Sequence, residues 1–187
     1  MRVALFGGSF NPPHLGHQLL ALSVLETQPV DALWFVPCFK HPFEKALAPF
    51  PHRLAMCRLA AAALGPRAVV STVEEELGGE SRTLLTVKAL QAAHPTTEFR
   101  VVIGADLQAE VASWYGAEEL RRLVTFIVVG RAGFPATGSV EMPAVSSTEV
   151  RARLARGESD DLVQGLVPRT VLDYIRAHRL YEAISSS

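Results

Sequence analysis

Cysteine is scarce in this chain of 187 residues: Cys38 and Cys57 are its whole complement. Two thiols cannot staple a domain of this length, and their separation matches no zinc-ligand spacing, so they read as reduced cysteines. Neither sign of charge dominates, with 18 Lys+Arg against 19 Asp+Glu and a formal net charge of −1. That balance supplies no counterion-release drive toward long nucleic acid and no polybasic segment for an anionic membrane. No stretch approaches the roughly 18–20 apolar residues of a membrane span. The opening MRVALFGG is too short for a signal-peptide core and is broken at once by glycines. Both familiar phosphate-loop patterns, Gly-Lys-Ser/Thr and Gly-x-Gly-x-x-Gly, are missing from the first strand-to-helix turn. The expectation is a cytoplasmic protein whose ligand, if anionic, is small enough to need only a local positive site.

What is there is a well-cored globular composition, 49% hydrophobic and 20% charged. Apolar strand-like runs at Val3–Phe6, Leu33–Val36, Ala68–Val73, Phe99–Ile103 and Val124–Val129 are bounded by glycine or proline. Helical stretches lie between or after them: Leu15–Leu25, Arg53–Leu64, Thr83–Ala93, a Trp-bearing region, Ser147–Leu154 and Val171–His178. On the first of these, Leu15, Leu19, Leu22 and Leu25 share one face. Cys38–Pro51, with prolines at 42, 49 and 51, reads as a long surface loop. This order predicts an α/β fold, a Rossmann-like doubly wound parallel sheet flanked by helices, in a single domain over residues 1–187 with 185–187 as a flexible tail. Such sheets bind ligands just beyond the carboxyl ends of their strands. Those positions are Gly7–His17, Pro37–His41, Gly104–Asp106 and Gly130–Arg131.

The first of them carries Gly7-Gly8-Ser9-Phe10-Asn11-Pro12-Pro13-His14-Leu15-Gly16-His17. Glycines let the backbone come close to a ligand, and the positive end of the following helix, expected to begin near Pro13, favours phosphate. His14 and His17, three apart, point to the same side of the first helical turn and can donate to one oxyanion. Surface histidines on a glycine turn are the plain alternative, but four of the six histidines lie within the first 52 residues. Near the far end, Ser146-Ser147-Thr148-Glu149-Val150-Arg151 opens another helix. Ser146 and Glu149 have capping-box spacing; equally, the hydroxyls, backbone N–H groups and Arg151 suit a phosphate.

Gly8–His17 resembles the G-[ST]-F-[DN]-P-x-H-x-G-H signature of the HxGH nucleotidyltransferase superfamily, and Val145–Arg151 resembles its I-S-S-T-x-[IV]-R motif. Ser81–Val87, Gly104-Ala105-Asp106 with Trp114-Tyr115, Arg131–Phe134, and Val171–Ile175 with Leu180-Tyr181 resemble segments of its nicotinate (nicotinamide) mononucleotide adenylyltransferase branch. The resemblance covers nearly the whole chain. It implies adenylyl transfer from ATP, with Mg²⁺ carried on the triphosphate and no metal site of the protein's own, to a pyridine mononucleotide in NAD biosynthesis. It further implies that His14, His17, Lys40 and Arg151 are catalytic. Gly7, Gly8, Ser9, Phe10, Gly104, Asp106, Ser146, Ser147 and Thr148 would bind ATP, and His41, Thr83, Trp114, Tyr115 and Arg131 the mononucleotide. Each has a plainer alternative: a solvated loop for Lys40 and His41, a helix cap for Asp106, a core position for Trp114.

Asn11 stands where the signature more often has Asp, a change expected to matter little because no acid or base is required there. Arg82 replaces a frequent aromatic, which leaves the base open between nicotinate and nicotinamide. A phosphopantetheine adenylyltransferase or a cytidylyltransferase is the nearest rival enzyme, and a catalytically silent nucleotide-binding regulator the rival of another class. A homo-oligomer stays open.

Overall fold

The structure, a computed structural model, describes residues 1–41, 47–130, 133 and 142–182. Five strands, β1 (Arg2–Gly8), β2 (Ala32–Pro37), β3 (Ala68–Val70), β4 (Glu98–Gly104) and β5 (Thr125–Val129), form one sheet in the order β3-β2-β1-β4-β5. Every pairing is parallel, with Val3 opposite both Ala32 and Phe99. The order reverses between β1 and β4, so the carboxyl ends of those two strands flank the crevice of a doubly wound sheet.

Alternation along the strands divides the core. Ala4, Phe6, Leu33, Phe35, Val102 and Ile127 face α1 (Leu15–Thr27) and α2 (Phe50–Ala62), while Val3, Leu5, Phe99, Val101 and Ile103 face the other layer. That layer holds α3 (Val73–Leu77), α4 (Thr83–Ala93) and α5 (Ala117–Leu123). A third cluster lies off the sheet. In it α2 packs Met56 and Ala60 against α6 (Ser147–Ala155), α7 (Asp160–Val163) and α8 (Arg169–Ala177). No helix among the described residues is long and apolar enough to cross a membrane.

Four departures from the sequence expectations have local causes. The strand expected over Ala68–Val73 ends at Val70, because the Ser71 hydroxyl accepts the N–H of Val73 and turns the chain into α3. Helix α2 starts at Phe50 rather than Arg53; Pro51 falls in its first turn, where a missing N–H costs nothing. The long loop after β2 is therefore shorter than read, and its residues 42–46 lie outside the described ones. On α1 the sheet-facing residues are Ala21, Val24 and Leu25, whereas Leu19 and Leu22 stay 45% and 44% exposed. The helix is apolar on most sides, so spacing alone did not choose its buried face. Finally, the Trp-bearing region is two short 3-10 turns, Ala105–Leu107 and Glu110–Ser113, leading into α5.

Candidate active site

The first crossover is built to hold two imidazoles. Gly7 has nothing within 4 Å of where a side chain would start, so the end of β1 is open. Phe10, with φ at 44°, drops its ring into the core against Phe6 (5.4 Å) and Phe35 (5.5 Å). Its ring also meets that of His17 at 4.9 Å, so its side chain supports an imidazole rather than presenting a donor. The helix begins at Leu15, later than expected, with His14 as its N-cap. The rings of His14 and His17 stack at 3.6 Å. Gly16 makes this geometry accessible: a side chain there would begin 3.0 Å from Nδ1 of His14. The His14 backbone N–H donates to Nδ1 of His17 (3.1 Å), so a neutral His17 carries its proton on Nε2.

The second helix start is fastened to the first loop. The Ser147 hydroxyl donates to the Pro12 carbonyl (2.9 Å), and Nη1 of Arg151 donates to the Asn11 carbonyl (2.8 Å). Ser146 caps α6 by accepting the Glu149 N–H (3.2 Å). The Glu149 carboxylate does not complete a capping box but pairs with Arg153 (2.8 Å). Among the described residues, the N–H groups of Ser147 and Thr148 are left without a partner, as a phosphate site at a helix start requires.

Both helix starts open on one cleft of about 690 Å³ over the carboxyl ends of β1, β4 and β5. All the residues expected to be catalytic or to bind ATP line it, with the exception of Lys40. Asp106 folds its carboxylate back over Gly104, where only the missing side chain leaves space. Lys40 is exposed and drawn away: its backbone forms a parallel bridge with Glu80, and its carbonyl accepts the Ser81 N–H (2.9 Å). The residues expected at the mononucleotide gather on that side. Thr83 begins α4, and the Arg82 guanidinium lies 5.8 Å from the ring centroid of exposed Tyr115. His41 follows Lys40, half-buried. Trp114 is half-buried against the second core cluster, 6.4 Å from the ring of Phe126. Arg131 lies outside the described residues.

Two supporting roles, those of Arg53 and Asn11, were not foreseen. Arg53, 1% exposed, donates to four carbonyls: Ala48 (2.9 Å), Ser9 (3.0 Å), Cys38 (2.6 Å) and Phe39 (3.2 Å). It thereby knots together the first loop, the end of β2 and the approach to α2. Burial pushes its pKa down, against nearby Cys38, Cys57 and Tyr181, but a guanidinium has far to fall and stays charged. An arginine among Leu54, Met56 and Cys57 on the inner side of a helix was the available signal. Asn11, 2% exposed, accepts the Ala48 N–H (3.0 Å) and the Tyr181 hydroxyl (2.8 Å) on its side-chain oxygen. Its task is to accept, which an amide and a carboxylate both do.

A parallel sheet whose strand order reverses beside a cleft shared by two helix starts is the architecture of a nucleotide-binding α/β domain, and residues 5–153 match the Cytidylyltransferase-like family model. A protein of Anaeromyxobacter dehalogenans named "Probable nicotinate-nucleotide adenylyltransferase" is 52% identical over 184 residues, covering 96% of each chain. One of the same name from Myxococcus xanthus is 40% identical, covering 97% of this chain and 95% of its own. The chain belongs to the nicotinate-nucleotide adenylyltransferase family. The fold is also that of Plasmodium falciparum nicotinic acid mononucleotide adenylyltransferase complexed with NaAD, at TM-score 0.83 and 21% identity over 96% of this chain and 97% of that one.

Replacing Arg53 by methionine keeps the bulk but removes the donor of four carbonyls, that of Cys38 fully buried. Chemical denaturation should show a loss of about 3 kcal/mol; a loss below about 0.5 kcal/mol, the scale of a neutral surface change, would contradict the role given to this guanidinium.

Proposed function

We propose that the chain transfers the AMP unit of MgATP to nicotinate mononucleotide, giving nicotinate adenine dinucleotide and pyrophosphate in NAD biosynthesis. Residues 1–187 would act as one nucleotidyltransferase domain. The observation that carries this reading is the single cleft shared by the stacked His14–His17 pair and the N-terminus of α6 with Arg151. The relatives' name supplies the acceptor.

In this reaction a phosphate oxygen of the mononucleotide attacks the α-phosphorus. A new P–O bond forms there, the bond to the β-bridging oxygen breaks, and its electron pair leaves on pyrophosphate. The second pKa of a phosphate monoester is about 6, so the attacking oxygen is already ionised near neutral pH and needs no base. What remains is positioning and charge. The first loop and the imidazoles face the α-phosphate, where Nε2–H of His17 donates to the oxygens that gain charge. Across the cleft, the Ser147 and Thr148 N–H groups and Arg151 receive the β- and γ-phosphates.

Mg²⁺ enters as part of the substrate and offsets triphosphate charge. Among the described residues no group of three or more His, Cys, Asp or Glu is placed to hold a metal ion. Asp106 is the carboxylate in the described lining, which suits an ion held mainly by phosphate oxygens. Lys40, His41, Thr83, Trp114, Tyr115 and Arg131 would serve the mononucleotide; the first five lie outside the lining of the cleft. The Arg82 guanidinium near the start of α4 donates to the Glu80 carboxylate (2.7 Å) and lies against the Tyr115 ring; the preference for nicotinate over nicotinamide rests on the relatives' name.

Pyrophosphate release from MgATP, measured with nicotinate mononucleotide, nicotinamide mononucleotide and phosphopantetheine in turn, tests the reading. Nicotinate mononucleotide should give the highest kcat/KM, by about tenfold or more, the worth of one charged hydrogen bond. Preference for either other acceptor would overturn it. In the same assay His17→Ala should lower kcat by about 10²–10³-fold, as losing a transition-state donor does, with little change in KM for ATP. A variant of near wild-type rate would remove His17 from the mechanism.

A further inference from the structure

We propose that Tyr181 is a positioning residue for the transfer: its hydroxyl, returned to the first loop by the turn after α8, fixes the Asn11 backbone on which Arg151 rests. The inference builds on the reading that Arg151 holds the triphosphate. Its hydrogen bond joins residues 170 positions apart, with the Tyr181 hydroxyl donating to Oδ1 of Asn11 at 2.8 Å. The same oxygen accepts the Ala48 N–H at 3.0 Å. Two donors from separate segments therefore occupy both lone pairs of one buried amide oxygen and set the orientation of that side chain. On the backbone of the same residue, the carbonyl accepts Nη1 of Arg151 at 2.8 Å. A displacement of Asn11 would move the carbonyl on which the guanidinium rests.

The chain reaches back by an unusual turn. Arg179 and Tyr181 have φ values of 50° and 65°, in the left-handed region that residues with side chains rarely adopt. The turn is closed by the Leu180 N–H donating to the Ile175 carbonyl (3.0 Å). Leu180 and Tyr181 pack on the same apolar cluster that seats α6, so the hydroxyl and the guanidinium share one rigid mount. Burial raises the phenol's pKa, opposed by Arg151 and Arg53, and the hydroxyl therefore stays a neutral donor across the working pH range. Tyr181 lies outside the lining of the cleft and acts through Asn11.

Tyr181→Phe removes one oxygen and keeps the ring in its packing. With nicotinate mononucleotide as acceptor, kcat should fall about tenfold, as small misplacements of a catalytic group produce. KM for both substrates should stay within about twofold, and Tm should drop by no more than about 4 °C, the shift a single lost hydrogen bond gives at this size. In an Arg151→Ala background the same change should alter kcat less than about twofold, because residues acting through one another are not additive. Wild-type kcat in Tyr181→Phe, or a tenfold loss that persists without Arg151, would overturn the inference. So would a rise in KM with unchanged kcat. Failure of the functional reading itself is distinct: the unmodified protein would then release no pyrophosphate from ATP with this acceptor.

Discussion

Two hydrogen bonds hold the active cleft together: the Ser147 hydroxyl on the Pro12 carbonyl and the Arg151 guanidinium on the Asn11 carbonyl. They join the first strand-to-helix loop to a helix that begins some 130 residues later in the chain. Without them the two helix starts would lose their direct link across the cleft. With them, the two helix starts open on a common space. The third apolar cluster makes this lasting, because it seats α6 and α8 on α2, whose Arg53 is bonded to the same first loop.

The resulting electrostatics favour a polyanion whose charge shifts during reaction. Arg53 lies buried behind the loop with carbonyls as its hydrogen-bond acceptors, so its positive charge is held in place rather than cancelled by a carboxylate. Arg151 and the imidazole stack border the cleft itself. Donors fixed before the substrate arrives need no reorganisation when charge moves from the α-phosphoryl group to the leaving pyrophosphate. This is why the proposed transfer needs no side chain to abstract a proton.

The parts of this arrangement that were legible in the sequence are those governed by local physics. Continuous apolar runs ended by glycine located β1 and β4, and Thr83–Ala93 emerged as a helix with the boundaries expected. The histidines stand out because they follow the end of a strand, and Ser146–Arg151 because hydroxyls and an arginine gather at a helix start. Contacts at long range were not legible. Asn11 is neither acid nor base and stands at a position expected to matter little, yet it is the shared acceptor of three segments. Arg53 resembled any helical arginine until Ser9, Cys38 and Ala48 were folded around it. Lys40 lies just past β2 in sequence, but its backbone pairs with Glu80 and Ser81. In each case the deciding partner lies far along the chain, or belongs to a backbone group that side-chain chemistry does not announce.

The account rests on one triphosphate spanning both helix starts. A crystal structure of the chain with Mg²⁺ and a non-hydrolysable ATP analogue tests this most directly. It should show an α-phosphate oxygen within about 3.2 Å, hydrogen-bond distance, of a nitrogen of His14 or His17, while the β- and γ-phosphates meet the Ser147 and Thr148 N–H groups and Arg151. A triphosphate bound at one helix start alone, or outside this cleft, would contradict it.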